Sequence, residues 1–347
     1  MINIKFREKD KYILIMIVEN YLKFGRPVSS DCIAQKSKIR VSPATVRNIM
    51  TKLEEQDYLF KPHLSAGRIP TDKGLRFYVN RLFDKVALSN NVVNIPFEDF
   101  SLKKSDLNSL FLDVSKLLSE YSDNIGFVIY PRISRINFHH IRMIKLSEER
   151  IMIILITPFN LALTEIVETK TCFTQSELER ASRYIDENFQ GKNLLFIRDY
   201  LLKEFPKYTL KFEKILQKLT LFFRSQLFQD ESENQILLQG TSKFLEKSDF
   251  FDMKELKSLF QKFEEKANLA KLLSDFISLD RVKVLIGSEL DIPDVFDCAL
   301  VLSHYGYERQ VLGTLGVIGP KRIPYKRIIP LVDCVAKRLS QTISLSQ

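Results

Sequence analysis

Arg47 and Asn48 are the residues whose types and placement carry the clearest chemistry. They follow Ser42-Pro43, a strong helix start, because a serine side chain can take a free backbone N–H and proline lacks the N–H that the first turn leaves unpaired. With about 100° per residue on a helix from Pro43 to about Gln56, Val46, Ile49, Met50 and Leu53 gather on one side. Ala44, Arg47, Asn48 and Thr51 fall on the opposite side, flanked by Thr45 and Lys52. A guanidinium can bond guanine bidentately, an amide can do the same for adenine, and small neighbours let the backbone approach, so this face suits base-edge reading in a DNA major groove. On an isolated helix the same pattern would describe an ordinary polar surface, so the surroundings decide.

Other reactive residues form no comparable set. His139 and His140 are adjacent on a strand-like run and would point to opposite faces, which excludes joint ligation of one metal. Gly313, Gly316 and Gly319 lie in a strand-like segment followed by Pro320, unlike a glycine loop opening a helix over phosphate, and a turn with close backbone packing explains them better. Ser303 beside His304 has no acid placed to orient it. The four cysteines, Cys32, Cys172, Cys298 and Cys334, have no CxxC spacing and read as buried apolar residues in a reducing compartment. No catalytic site, no metal site and no cofactor is expected.

The elements that must hold Arg47 and Asn48 are legible on either side. The apolar stripe Tyr12, Ile13, Ile15, Met16, Ile17, Val18 and Leu22 predicts a first helix ending at Gly25. Ser29 or Ser30 can cap a second helix to about Ser37, with Cys32, Ile33 and Ala34 inward, and Lys38 to Val41 makes a tight turn. After the third helix, Tyr58 to Phe60 and Ile69 to Thr71 read as two short strands around the basic turn PHLSAGR. Such a hairpin is a wing, and it would set His63, Ser65 and Arg68 beside phosphates or in the adjoining minor groove. Thr71 can cap a closing helix through Arg76, Tyr78 and Arg81. The first 85 residues hold 17 Lys and Arg against 9 Asp and Glu, so this quarter supplies +8 of the chain's net +9. Localised positive charge is the footprint of a polyanion-binding module.

These residues resemble a known family. The pieces VSPATVRN, PHLSAGRIPTDKG and RFYV are similar to the N-terminal domain of the HrcA family of heat-inducible transcription repressors. VLIGSE, DCALVLSHY and GTLGVIGPKRIPYKRIIPLVD resemble that family's C-terminal core. The family usually carries Asn where this chain has Leu290, and Thr, Met and an acidic residue at Lys321, Ile323 and Pro324; from about Asn90 to Phe250 the similarity is loose.

Beyond a polar link at Ser89 to Glu98, a helix is predicted from Asp106 to Ser122, followed by four β-rich runs: Ile125–Tyr130, His139–Leu146, Arg150–Thr157 and Leu161–Thr169. Their close spacing predicts one antiparallel sheet. Helical patterns then run from Thr174 to about Leu273, strands return at Val282–Ile286, Ala299–Ser303 and Thr314–Ile318, and a last helix runs to Thr342. Strands interrupted by helices predict an α/β sheet domain with a helical insertion. Phe212, Phe222, Phe223, Phe228, Phe244, Phe250, Phe251, Phe260 and Phe263 read as its core, partly as a subunit interface. The resemblance implies the corresponding multidomain α+β architecture: a winged helix-turn-helix at 1–88, a GAF-like domain at 99–190 plus 281–347, and a largely helical inserted dimerisation domain at 191–280.

The expected function is a non-enzymatic one, a homodimer on an inverted-repeat operator in double-stranded DNA. The longest apolar stretch, Ile151 to Pro158, is far short of the roughly 20 residues that span a bilayer, and the charged start lacks a signal peptide's apolar run, so a cytoplasmic protein with no membrane partner is expected. From the resemblance alone come an operator upstream of chaperone genes and upkeep of the repressor by a GroEL-type chaperonin. The alternatives are a winged regulator whose GAF-like body senses a small molecule, an RNA-binding winged domain, and, weakest, an enzyme with an accessory nucleic-acid domain.

Overall fold

The structure is a computed structural model, and it describes residues 7–63, 66–86, 107–131, 137–157, 162–204, 214–216, 218–222, 236–242, 282–290, 297–307 and 310–345. The polar link and, of the nine phenylalanines, all but Phe222 lie outside those residues; Phe222 is fully buried.

The first unit is built from α1 (Glu8–Phe24), α2 (Ser30–Lys36), α3 (Pro43–Glu55), a hairpin of β1 (Leu59–Phe60) and β2 (Ile69–Pro70), and α4 (Asp72–Val86). Each boundary has a local cause. Gly25 ends α1 in the left-handed region at φ 69°, its N–H bonded to Tyr21 O. Ser29 accepts from Cys32 N to start α2, and Ser42 accepts from Thr45 N to start α3, with Pro43 at the first position. Asp57, at φ 60°, turns the chain out of α3 into β1. Thr71 then starts α4, its hydroxyl accepting from Gly74 N at 3.2 Å while donating to Asp57 O at 2.6 Å. Ile13, Leu14, Ile17, Val18, Ile33, Val46, Ile49, Met50, Leu53, Leu75, Tyr78 and Val79 close over one another as its core.

The rest is mixed α and β. α5 (Leu107–Ser122) precedes β3 (Ile125–Ile129), and a second sheet of β4 (His140–Lys145), β5 (Arg150–Ile156) and β6 (Ala162–Glu168) follows. Then come α6 (Gln175–Phe189), α7 (Leu194–Glu204), β7 (Ile236–Gln239), β8 (Lys283–Ile286), a 3-10 turn Gly287–Leu290, β9 (Cys298–Tyr307), β10 (Gln310–Pro320) and α8 (Tyr325–Leu345). The larger sheet is antiparallel in the order β7-β3-β10-β9-β8. Side chains alternate along β9: Ala299, Val301 and Tyr305 join the cluster beneath α5 and α8, while Leu300 and Leu302 join an apolar cluster with Phe127 and Ile318.

The four runs expected in one sheet therefore divide between two. β3 pairs with β10 and β7, whereas among the described residues β4, β5 and β6 pair only with each other. That smaller sheet buries Ile141, Met143, Ile151, Ile153 and Leu155 against Leu178, Ile185 and Phe189 of α6 and Leu194, Ile197 and Leu201 of α7, a core separate from the larger sheet's. Residues on both sides of the expected junction at 190/191, from α6 and from α7, contribute to this one core. The insertion expected to be largely helical also contains β7, a strand of the larger sheet.

Candidate nucleic-acid interface

α3 presents Ala44, Arg47, Asn48, Thr51 and Lys52 as exposed residues, with Thr45 half-buried, while Val46, Ile49, Met50 and Leu53 are buried beneath them. The split follows from helical periodicity: four apolar residues fill the face toward α1 and α2, so the intervening positions face solvent. The N-terminal end is well formed, with Ser42 Oγ 3.2 Å from Thr45 N and 2.9 Å from Thr45 Oγ1. Its first turn holds no acidic residue, so nothing on the helix cancels the positive end of its dipole, which favours an approaching phosphate. Thr51 donates to Arg47 O at 3.1 Å, a bond within the helix. The turn before α3 adds exposed Lys38 and Arg40.

The hairpin projects next to this helix. His63 is exposed on its loop, Phe60 is 54% exposed on its first strand, and Ser65 lies outside the described residues. Arg68, expected beside phosphate, has an acidic partner within the unit. Its Nε and a terminal nitrogen both lie 2.8 Å from Glu54 Oε2, and its side chain is only 15% exposed. Its backbone N–H and C=O exchange hydrogen bonds with Val28, both at 2.8 Å. Arg68 thus ties the hairpin to α3 and to the link between α1 and α2. A basic residue in a turn-rich segment reads as a phosphate contact until its carboxylate, fourteen positions earlier, is brought beside it.

The remaining sequence candidates settle into structural roles. His304 is buried with Nδ1 2.8 Å from Thr314 Oγ1, and the adjacent Ser303 sits across from Leu315 in the sheet. Gly313, Gly316 and Gly319 lie within β10 rather than in a turn, and a methyl at Gly316 would meet Val301 O at 2.2 Å. His139 and His140 do not point apart as expected, because His139 precedes β4: their rings lie 4.4 Å apart and tilted, and His140 Nδ1 is 3.3 Å from the Asp186 carboxylate, which also accepts from Ile141 N and Arg142. Of the cysteines, Cys298 is buried but Cys172 is exposed. Among the described residues there is no group of three or more His, Cys, Asp and Glu placed to hold a metal, and no helix long and apolar enough to cross a membrane.

Comparison with known proteins gives this arrangement its context. A family profile described as HrcA protein C terminal domain matches residues 108–329. The heat-inducible transcription repressor HrcA of Geobacter sulfurreducens is 33% identical over 336 residues, covering 97% of this chain and 98% of that protein. The chain belongs to the HrcA family. The HrcA of Nitrosomonas eutropha is similar to the same degree, 34% identical over 339 residues, 97% of this chain and 99% of its own length. A solved structure described as a hypothetical protein at 2.2 Å resolution shares the fold, with a TM-score of 0.65 at 21% identity over 99% of this chain and 100% of that one. HrcA membership makes transcription regulation, repression and heat shock the setting in which the exposed face of α3 is to be read, and no catalytic function is attached to these relatives.

Proposed function

We propose that this chain is a heat-inducible repressor that binds duplex DNA through a winged helix-turn-helix formed by α1 to α4, with α3 in the major groove and the β1–β2 hairpin as the wing. The observation that carries the reading is the exposed row Ala44, Arg47, Asn48 and Thr51 on a capped helix whose opposite face is wholly buried. Arg47 reads guanine and Asn48 adenine, Ser42, Thr45 and Lys52 hold the flanking phosphates, and His63 and Ser65 extend the contact along the backbone. Arg68 acts by holding the wing in place.

Two copies act together on an inverted repeat, each α3 occupying one half-site about one helical turn from the other, and RNA polymerase is thereby excluded. The segment carrying β4 to β6, α6 and α7 is the inserted unit of a GAF-like body built on the larger sheet, and it supplies the dimer contact. In keeping with the resemblance, the operator stands upstream of chaperone operons and a GroEL-type chaperonin keeps the repressor competent. The test is a mobility-shift titration on such a repeat against a scrambled duplex, repeated after heating with and without chaperonin. Preference for the repeat, restored after heating only with chaperonin, supports the reading; equal binding to both duplexes refutes the DNA claim, and equal recovery without chaperonin refutes the chaperonin claim.

A further inference from the structure

The first unit meets the body through a set of charged contacts centred on α4, and none of them belongs to the DNA-reading face. Asp72, at the start of α4, accepts from Lys321 Nζ at 2.9 Å, from Ser288 N at 3.1 Å and from Ser288 Oγ at 3.3 Å. Lys321 also reaches Asp297 at 3.0 Å, so its ammonium lies between two carboxylates. One turn later, Arg76 bonds Val284 O at 2.6 Å and pairs with Glu289 through Nε at 2.7 Å and a terminal nitrogen; Glu289 in turn accepts from Ile286 N at 3.0 Å. The buried side of the same helix, Leu75, Tyr78 and Val79, belongs to an apolar cluster that continues into Val284, Ile286, Ile328 and Val332 of the body.

Two glycines make room for this joint reciprocally. In the first unit, a methyl at Gly25 would fall 1.1 Å from a guanidinium nitrogen of Arg322 on the body. In the body, a methyl at Gly287, at φ 53°, would fall 2.2 Å from Asp72 Oδ2 of the first unit. Both glycines sit in the left-handed region, which is what requires them, and the ends of Arg322 and Asp72 occupy the open space above them, so charged side chains cross the joint from both sides. Half-buried pairs with several hydrogen bonds are better at selecting an arrangement than at stabilising it, because a displaced charge is left desolvated and unpaired.

We propose that Asp72, Arg76, Lys321 and Glu289 are positioning residues that fix the orientation of α3 relative to the body, and so set the spacing between half-sites that the dimer accepts. This rests on the reading above that the protein binds an inverted repeat as a dimer. A first unit held at one angle presents its two α3 helices at one separation; a first unit freed at this joint reaches several separations but loses affinity at each, since ordering it must then be offset from binding.

The test uses the whole chain and a doubly substituted variant, Lys321→Met with Glu289→Gln, on four kinds of duplex: the native repeat, repeats with spacers altered by up to about half a helical turn (~5 bp), a single half-site and a scrambled duplex. For the wild type, a steep fall in affinity with altered spacing is expected. The variant is expected to bind the native repeat about tenfold more weakly, to lose much of the spacing dependence, and to bind the single half-site as the wild type does. Lys321→Arg, which keeps the charge, is expected to retain the wild-type profile, and thermal unfolding of each protein establishes that it is folded. A folded variant with wild-type affinity and wild-type spacing dependence overturns the proposal, as does an equal loss on the half-site. A wild type that does not prefer the repeat to a scrambled duplex overturns the DNA reading itself, and that outcome is read on the unsubstituted protein alone.

Discussion

Arg68 and Glu54 are joined by two nitrogen-to-oxygen contacts of 2.8 Å onto a single carboxylate oxygen, linking the residue that leads into β2 to the last turn of α3. The pair fastens the hairpin to α3, so the two move as one piece. Arg68→Ala is expected to lower stability by about 1–2 kcal/mol, the value of a charge-assisted bond left with one partner. Operator affinity should fall, yet the slope of log affinity against log salt should stay as in the wild type. A slope reduced by about one unit in the variant would instead mark Arg68 as a phosphate contact.

Arg47 and Asn48 are exposed and make no contribution to the core, so their removal should leave unfolding unchanged. Arg47→Ala or Asn48→Ala is expected to cost about 1–3 kcal/mol of discrimination at particular base pairs, seen by comparing single-base operator variants. Unchanged discrimination in folded Arg47→Ala protein would mean that another face of the unit meets the bases.

Ser42→Ala removes the side chain that accepts from Thr45 N and contacts its hydroxyl. About 1 kcal/mol of stability should be lost, measurable by urea unfolding, and Ser42→Asp should recover it. On DNA the aspartate should still bind worse than serine, because a carboxylate at that helix end opposes phosphate.

Alkaline pH should unfold the protein steeply. Burial pushes Tyr78 up to about 12 and raises Tyr305 and Tyr325 well beyond the ordinary tyrosine value. For Lys321, burial alone would lower the ammonium's value, but hydrogen bonds to Asp72 and Asp297 and their charges outweigh it and raise it. All four groups hold protons in the folded state that the unfolded chain releases from about pH 10 upward, so their stabilisation is complete below that pH and is lost as pH rises. Tyr305 donates to Ile129 O at 2.7 Å. Tyr305→Phe should cost about 1 kcal/mol at neutral pH and flatten the decline above pH 10 by up to ~1.4 kcal/mol per pH unit. An unchanged slope would remove Tyr305 from this account.

What was legible in the sequence was whatever local chemistry decides. Ser42-Pro43, Gly25 and Thr71 announce helix ends because capping acts over three or four residues, and the faces of α3 follow from periodicity alone. Partners far apart in sequence were not legible. β3 is apolar and buried throughout where β4 alternates, but spacing along the chain does not name its partner, and it pairs with the distant β10. β7 is four residues long, too short to break a helical pattern. Glu54 beside Arg68 and Lys321 between Asp72 and Asp297 are likewise products of the assembled fold, which no local pattern pairs.

The central claim is that α3 reads bases, and a salt-series titration on an inverted repeat from upstream of the protein's own chaperone operons tests it most directly, with a scrambled duplex as control. The account predicts preferential binding to the repeat with affinity falling steeply as salt rises, and loss of that preference in Arg47→Ala protein. Equal affinity of the folded wild type for the two duplexes at every salt concentration would contradict it.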